Sequence, residues 1–353
     1  MQGDLPAEFK RLQQETKQIL EEFQAYNSNI VFEFVDPMEN QEESMDLIKD
    51  LYRKGLTPIN ITVDDKGKQS QALVFPWAIA TYDNKEVSIP LLKNQMGAST
   101  TQKVIGSVQH LEYSFSDAFN KITKAKQKKV AIIKGNGELK EAFIAKFLLQ
   151  VRDSYFIAPF TLDSVAKNPE GSLQALKEYD LAVIAKPSEA FSESEKQVLD
   201  QYLMNGGKTI WLVDQVVAEI DSLYNPSGAS LAYPRDLNIN DLFFKYGIRI
   251  NPDIVKDEQG SPIQLASGEP GSATRFQQFN WKYAPLVTPI STHPIVKNLG
   301  GIKFDFANSI DTLKNSIKKT VLLQSSPYSK RVGTPTAINL SMVSETTSPA
   351  NYP

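Results

Sequence analysis

The sequence predicts an α/β protein built from two domains, and three observations carry that prediction. Tyr179–Gln215 reads as strand, capped helix, glycine stop and strand. The same β-α alternation precedes it from Val130 to Leu162. Between these units and the N-terminal part lies Lys124–Lys129 (KAKQKK), a basic bridge with no large apolar residue. The boundary is therefore placed at residues 126/127, giving a mixed α/β domain over 1–126 and a doubly wound α/β domain with long loops and an irregular tail over 127–353.

In the first domain, residues 5–26 predict an amphipathic helix, with Phe9, Leu12, Ile19, Leu20 and Phe23 on one face. Ile30–Val35 (IVFEFV) predicts a strand stopped by Asp36-Pro37, and a helix follows from about Gln41 to Lys54, ended by Gly55. Pro58–Val63 alternates as a half-buried strand, with a turn at Asp64-Asp65-Lys66-Gly67. Gln71–Tyr82 and Glu86–Leu91 predict a hairpin around Asp83-Asn84-Lys85, and one long helix runs from about Thr100 to Lys124. This order of elements resembles thioredoxin-like domains. The Cys-x-x-Cys of their redox chemistry is absent, because the chain contains no cysteine.

The second domain opens with the buried strand Val130–Ile133, the turn Gly135-Asn136-Gly137 and a helix over Leu139–Val151 with Leu139, Phe143, Phe147 and Val151 in register. A strand at Tyr155–Leu162 and a short helix at Gly171–Glu178 follow. Leu181–Ala185 is unbroken apolar, as in a strand buried on both faces. Ser192 and Glu195 form a capping box, Gly206-Gly207 stops the helix, and Thr209–Val213 is the next strand. So tight a strand–helix–strand unit implies parallel strands with right-handed crossovers. Residues 218–236 and 257–285, rich in Gly, Pro, Ser, Asn and Gln, read as long loops around a helix at Ile239–Tyr246. Late strands are expected at Gly301–Phe306 and Thr320–Gln324, and the tail from Ser344 is expected to fray.

Composition narrows function. Hydrophobic residues make up 41% of 353, enough for packed cores. A net charge of -3 gives no case for nucleic acid. No apolar run reaches the roughly 20 residues needed to cross a bilayer. Without cysteine, and with only His110 and His293, thiolate chemistry and multi-histidine metal centres are excluded. No metal and no cofactor is expected.

Four features of the chain are candidates for chemistry. Lys134-Gly135-Asn136-Gly137-Glu138 follows a strand and opens a helix, where a phosphate meets free N–H groups. It lacks the third glycine of a dinucleotide fingerprint and the Gly-Lys-Ser/Thr of a P-loop, which favours a tight turn. His293, beside Ser291 and Thr292, has no Gly-x-Ser-x-Gly elbow to serve, and reads as a loop histidine; His110 reads as an ordinary helix histidine. The carboxylates Glu39, Glu42, Glu43 and Asp46 complement a helix start. Asp214, at a strand end, is the first suspect for a carboxylate-based hydrolase, against a cap on the following turn. Aromatics are the fourth candidate: Phe276, Phe279, Trp281 and Tyr283 crowd one apparent loop, with Tyr224 and Tyr233 in similar surroundings. They read either as interface anchors or as a lid folded over the sheet, and Tyr233, Phe279, Trp281 and Tyr283 are the expected partner or ligand contacts.

An ordered set of segments then resembles a known family. Leu5-Pro6-Ala7-Glu8-Phe9, Phe34-Val35-Asp36-Pro37, Ser192–Asp214 and Leu323-Gln324-Ser325-Ser326-Pro327-Tyr328-Ser329 resemble the auxiliary, substrate-binding-like component of bacterial gliding-motility ABC transporters, the GldG family. The resemblance spans essentially the whole chain. It implies a non-enzymatic periplasmic portion of a protein anchored to the inner membrane by helices outside this chain. It implies partnership with a membrane permease and, through it, a cytoplasmic ATPase, in gliding organisms of the Bacteroidetes type. The second domain would be similar to class I glutamine-amidotransferase-like domains, without the cysteine their activity needs. A carboxylate-based, carbohydrate-active hydrolase or a small-solute receptor are the alternatives, the latter disfavoured by the dissimilarity of the two halves.

Overall fold

The computed structural model describes residues 5–37, 44–65, 68–93, 98–267, 275–297 and 299–344. Contacts divide the chain into two compact units, residues 1–125 and 126–353. The expectations for Glu39, Glu42, Glu43, the turn residues Lys66-Gly67 and the tail beyond Ser344 lie outside the described residues.

The first unit contains α1 (Ala7–Tyr26), α2 (Ser44–Arg53), a hairpin of β1 (Ile59–Asp65) and β2 (Lys68–Val74), a second hairpin of β3 (Trp77–Tyr82) and β4 (Lys85–Pro90), then α3 (Thr100–Val108) and α4 (Leu111–Thr123). Phe9, Leu12, Thr16 and Leu20 form the buried row of α1. Thr16 is tolerated there because its hydroxyl donates to the Leu12 carbonyl at 2.7 Å. That row packs with Ile89, Leu91, Val104, Leu111 and Phe115. The β3–β4 turn places Asp83 and Asn84 at φ 46° and 60°, the left-handed pair a two-residue hairpin turn requires.

Three expectations for this unit need correction. The strand expected over Gln71–Tyr82 divides at Phe75-Pro76, its first part pairing within β2 to β1 and its second forming β3 against β4. Residues 30–36 join no sheet, since an alternating pattern makes a strand only where another edge receives it. The long helix breaks at Gln109-His110 into α3 and α4. Ser107, after Gly106, donates its hydroxyl to the Lys103 carbonyl at 2.6 Å and accepts the Lys93 N–H at 2.7 Å. A Gly-Ser pair engaged in this way is a common site of helix breakage.

The second unit opens with β5 (Lys129–Lys134), α5 (Glu141–Ser154), β6 (Phe156–Thr161), α6 (Pro169–Leu176), β7 (Leu181–Ala185), α7 (Glu193–Met204) and β8 (Lys208–Leu212). The strands form a parallel sheet in the order β6-β5-β7-β8. Ser192 caps α7: its hydroxyl accepts the Glu195 N–H at 3.3 Å, and Glu195 accepts the Ser192 N–H at 2.7 Å. One sheet face buries Ala131, Ile133, Ala182 and Ile184 against residues that include Leu176, Val198, Leu199, Tyr202 and Phe243. The other face buries Val130, Ile132 and Val183 beneath Ile144, Leu148 and Val151 of α5.

The register expected for α5 holds at Val151 and fails at Phe143 and Phe147. Phe143 and Phe147 are 77% and 40% exposed, and the neighbouring row of Ile144, Leu148 and Val151 packs. Two adjoining apolar rows run along this helix, and periodicity alone does not choose between them.

The remainder is β9 (Val216–Val217), β10 (Ala229–Pro234), α8 (Asn240–Lys245), β11 (Ile248–Ile250), β12 (Asp253–Asp257), β13 (Gly260–Ser267), β14 (Arg275–Val287), β15 (Ile302–Lys303), β16 (Ile310–Thr312), β17 (Ser329–Gly333) and β18 (Thr336–Asn339). Much of what reads as loop at 218–236 and 257–285 is therefore strand. Polar side chains mask it by occupying outward positions: Gln264 lies opposite Gln278 across the β13–β14 ladder. Residues 320–324 join no sheet, and only Ile302–Lys303 of 301–306 is strand. The pairings β10–β18, β11–β16 and β12–β17 are antiparallel and bring distant segments together; Ile248 and Ile250 of β11 join the core of the parallel sheet, and the other two pairs lie around a third core of Val216, Leu223, Ile254, Trp281, Tyr283, Phe306 and Ile338.

Candidate functional site

In an open parallel sheet, ligands bind beyond the carboxyl ends of the strands, where strand order reverses. Here that point lies between β5 and β7, and the segments 134–139 and 185–190 meet there. The structure fills it from within. The Ser188 and Glu189 N–H groups both donate to the Asn136 carbonyl, at 2.9 and 3.0 Å, and the Leu139 N–H donates to Ala185 at 3.0 Å. The Ser188 hydroxyl donates to the Gly137 carbonyl at 2.8 Å.

Gly137, at φ 69°, leaves no room for a side chain, because a Cβ would stand 2.2 Å from the Ser188 hydroxyl oxygen. The glycine turn also holds an anion of its own, since the Glu138 carboxylate accepts the Asn136 N–H at 2.9 Å. Burial raises the Glu138 pKa, opposed by backbone N–H groups of Glu138, Asn136 and Gly135 and by Lys134. The N–H groups that a phosphate would need thus already face a carboxylate.

Asp214 stands beside this crevice. Lys186, in left-handed backbone at φ 53°, reaches Asp214 at 3.3 Å and Glu219 at 2.7 Å. Burial opposes the charge of Lys186, but Glu219 and Asp214 outweigh it and hold its pKa above the ordinary value. Burial also lifts the Asp214 pKa, with Lys186 acting against it. Asp214 is therefore one corner of an ion-paired group in which a second carboxylate, Glu219, shares the same lysine. Arg235 donates to the Pro187 carbonyl at 3.3 Å and closes the same edge.

The aromatic residues separate into two groups. Trp281 and Tyr283 lie on β14, not in a loop, and are 2% and 4% exposed. Their rings sit 5.3 Å apart, with Phe306 6.3 Å from Trp281, and Lys256 lies over the Tyr283 ring at 5.2 Å. The expectation that these two make partner contacts fails for a physical reason: both are interior to the third core. Phe279 is half-buried opposite Ile263, while Tyr233, Tyr224 and Phe276 are exposed.

His110 precedes α4 and stacks on Tyr113 at 4.8 Å, and burial lowers its pKa. His293 serves its own loop, with Nδ1 accepting the Ile295 N–H at 3.3 Å. Asp46 pairs with Lys49 on α2 at 3.1 Å. Among the described residues no group of three or more His, Asp or Glu is arranged to hold a metal ion, and no helix is long and apolar enough to cross a membrane.

Sequence reasoning missed the polar network of the third core. Asp253 accepts from the Ser309 N–H, the Ser309 hydroxyl and Arg331 Nε at 2.9, 2.8 and 2.6 Å. Asp257 accepts the Ser326 N–H at 2.8 Å, and Lys282 pairs with Glu258 at 2.8 Å. Partners so far apart in sequence leave no local signal, and all these groups hold strands together.

The model of a family described as ABC-type uncharacterized transport system matches residues 127–353. A domain of unknown function, DUF7088, matches residues 1–81. An uncharacterized protein of Borreliella burgdorferi is 24% identical over 244 residues, covering 68% of this chain. The chain spans 45% of that relative's length. Among solved structures, the mmIFT52 N-terminal domain aligns at a TM-score of 0.40 and 17% identity, over 59% of this chain and 77% of that one. A likeness that weak supports no conclusion about function.

Proposed function

We propose, from the premise that this chain belongs to the ABC-type uncharacterized transport system family, that it is an auxiliary component of an ABC transporter that works by binding partners and not by catalysis. The family match over residues 127–353 carries the reading. The strand-end geometry agrees with it: the crevice where a doubly wound sheet would take a ligand is occupied by Ser188, Glu189 and Glu138, and Asp214 is held by Lys186.

The finer reading follows the resemblance to the GldG family. The chain would be the periplasmic portion of a gliding-motility transporter component, held at the inner membrane by helices beyond these residues. It would engage the permease and, through it, the cytoplasmic ATPase. Its two units would be variants of thioredoxin-like and amidotransferase-like domains, and Tyr233 and Phe279 would contribute to contacts.

The test is cross-linking of the tagged full-length protein in its native membrane envelope, followed by purification and mass spectrometry. Enrichment of a transporter permease and its ATPase over an untagged control is the expected result. Recovery of neither in repeated trials, or substrate turnover by the purified protein that Asp214→Asn abolishes, would overturn the reading.

A further inference from the structure

The break between α3 and α4 puts a titratable ring at a helix end. The His110 N–H donates to the Ser107 carbonyl at 2.9 Å, closing α3, and the His110 carbonyl accepts the Ser114 N–H at 3.0 Å, opening α4. His110 thus stands in the capping position of α4, with no side-chain bond to the free N–H groups of the first turn. Its half-buried ring stacks instead on Tyr113 at 4.8 Å. The chain leaving β4 is tied to the same break. Leu91 lies in the first core with Leu111 and Phe115 of α4, and two residues on, the Lys93 N–H donates to the Ser107 hydroxyl at 2.7 Å.

A neutral imidazole suits this place and an imidazolium does not. A cation there would sit at the positive pole of α4. Burial and then the charge of Lys93 hold the His110 pKa below the ordinary histidine value, and Asp117 of α4 acts in the other direction. Asp117 is itself paired with Lys121 at 2.8 Å. Glu112 stands exposed in the first turn of α4, and Lys103, the one charged residue of α3, gives its carbonyl to the Ser107 hydroxyl. Lys85 and Glu86 begin β4, at its far end from Lys93. From α1, Glu8 accepts from Thr101 at the opposite end of α3. His110 is also the one histidine of the first unit, and histidine is the side chain whose ordinary pKa falls between about pH 5 and 8.

We propose that this junction is an acid-sensitive hinge: a proton on His110 loosens the start of α4, releases the tie between Lys93 and Ser107, and lets the chain beyond β4 part from the α3–α4 break. A histidine that folding makes harder to protonate adds stability above its unfolded pKa and loses it as pH falls through the folded one. The hinge is therefore closed at neutral pH and opens below the ordinary histidine value of about 6.5. Opening is local, because α4 keeps Phe115, Ala118 and Ile122 buried beyond its first turn. The proposal rests on the first unit alone and makes no use of the transporter reading, whose family match lies in residues 127–353.

The test is a pH titration of the whole chain carrying His293→Gln, which leaves a single imidazole signal in the proton NMR spectrum, paired with hydrogen exchange. The His110 signal is expected to titrate below the ordinary histidine value. Once it is protonated, amides at 91–93 and 107–114 should exchange at least ~2-fold faster than intrinsic rates at that pH account for, with no such excess in β5 and β7. Lys93→Gln should move the midpoint up and Asp117→Asn should move it down, since each removes a charge that acts on the ring. His110→Gln should abolish the excess exchange. A midpoint at or above the ordinary value, exchange that follows intrinsic rates throughout, or an excess that survives in His110→Gln overturns the proposal. The titration of the histidine-bearing chain decides it even where His110→Gln folds poorly.

Discussion

The Glu138 carboxylate accepts the Asn136 N–H at 2.9 Å, so the glycine turn at the end of β5 carries its own anion. Removing that anion as Glu138→Ala should cost about 1–3 kcal/mol, the usual cost of leaving such donors unpaired. Added sulfate or phosphate should then stabilise the variant more than the parent at matched ionic strength, because the freed N–H groups accept an external anion. Thermal melts across a salt series measure this, and equal salt responses would rule out the turn as an anion cradle.

Trp281 and Phe276 stand five positions apart on β14 and behave oppositely. Trp281 is 2% exposed and Phe276 72%. Trp281→Ala should destabilise the second unit by about 3–5 kcal/mol. Phe276→Ala should stay within ~0.5 kcal/mol. Denaturant titrations of both variants decide the matter, and similar losses would contradict the burial described for the third core.

Lys196 bridges Glu193 at 2.8 Å and Asp241 at 2.9 Å. Its hydrogen bonds lower the pKa of Asp241, and the slight burial of that carboxylate acts against them. A carboxylate whose pKa is lowered by folding adds stability above its unfolded pKa and loses it as pH falls through the folded one. Asp241→Asn should therefore destabilise at neutral pH, by well under ~1 kcal/mol because that side chain is exposed. The gap to the parent should close below about pH 4, the ordinary carboxylate range. Unfolding curves at pH 7 and pH 3 that show the same gap would refute this sign.

Gly207 ends α7 against the Tyr202 ring, and a Cβ there would stand 2.4 Å from it. The ring is 1% exposed and its hydroxyl donates to the Tyr179 carbonyl at 2.9 Å, so it has little freedom to yield. Gly207→Ala should cost about 1–3 kcal/mol, and Gly206→Ala should lose stability through φ 92° without a clash. If Tyr202→Phe fails to soften the Gly207→Ala penalty, the hydrogen bond is not what fixes the ring.

The parallel sheet was legible because its signals are local. The capping box at Ser192 and Glu195, the apolar run at β7 and the glycine stop of α7 each lie within a few residues. The third core was not legible, because its strands carry polar outward faces and pair across long intervals. Trp281 illustrates the difficulty: between Asn280 and Lys282 it looks like an isolated aromatic in polar chain, and only its position on β14 places it inside. The glycine turn at 135–137 was readable as a tight turn from its incomplete fingerprint, but nothing short of geometry identified Glu138 as its occupant.

The pairings of the second unit close over long intervals: residues 229–232 meet 336–339, 248–250 meet 310–312, and 253–257 meet 329–333. During synthesis the first member of each pair leaves the ribosome long before its mate. The early strands must wait with open edges until the last stretch of the unit has emerged. The parallel sheet, whose strands all lie before residue 213, can assemble in that interval and offer a surface on which the late strands close. A chain that stops near residue 300 would thus retain a foldable sheet and carry several orphan edges, the condition that invites aggregation.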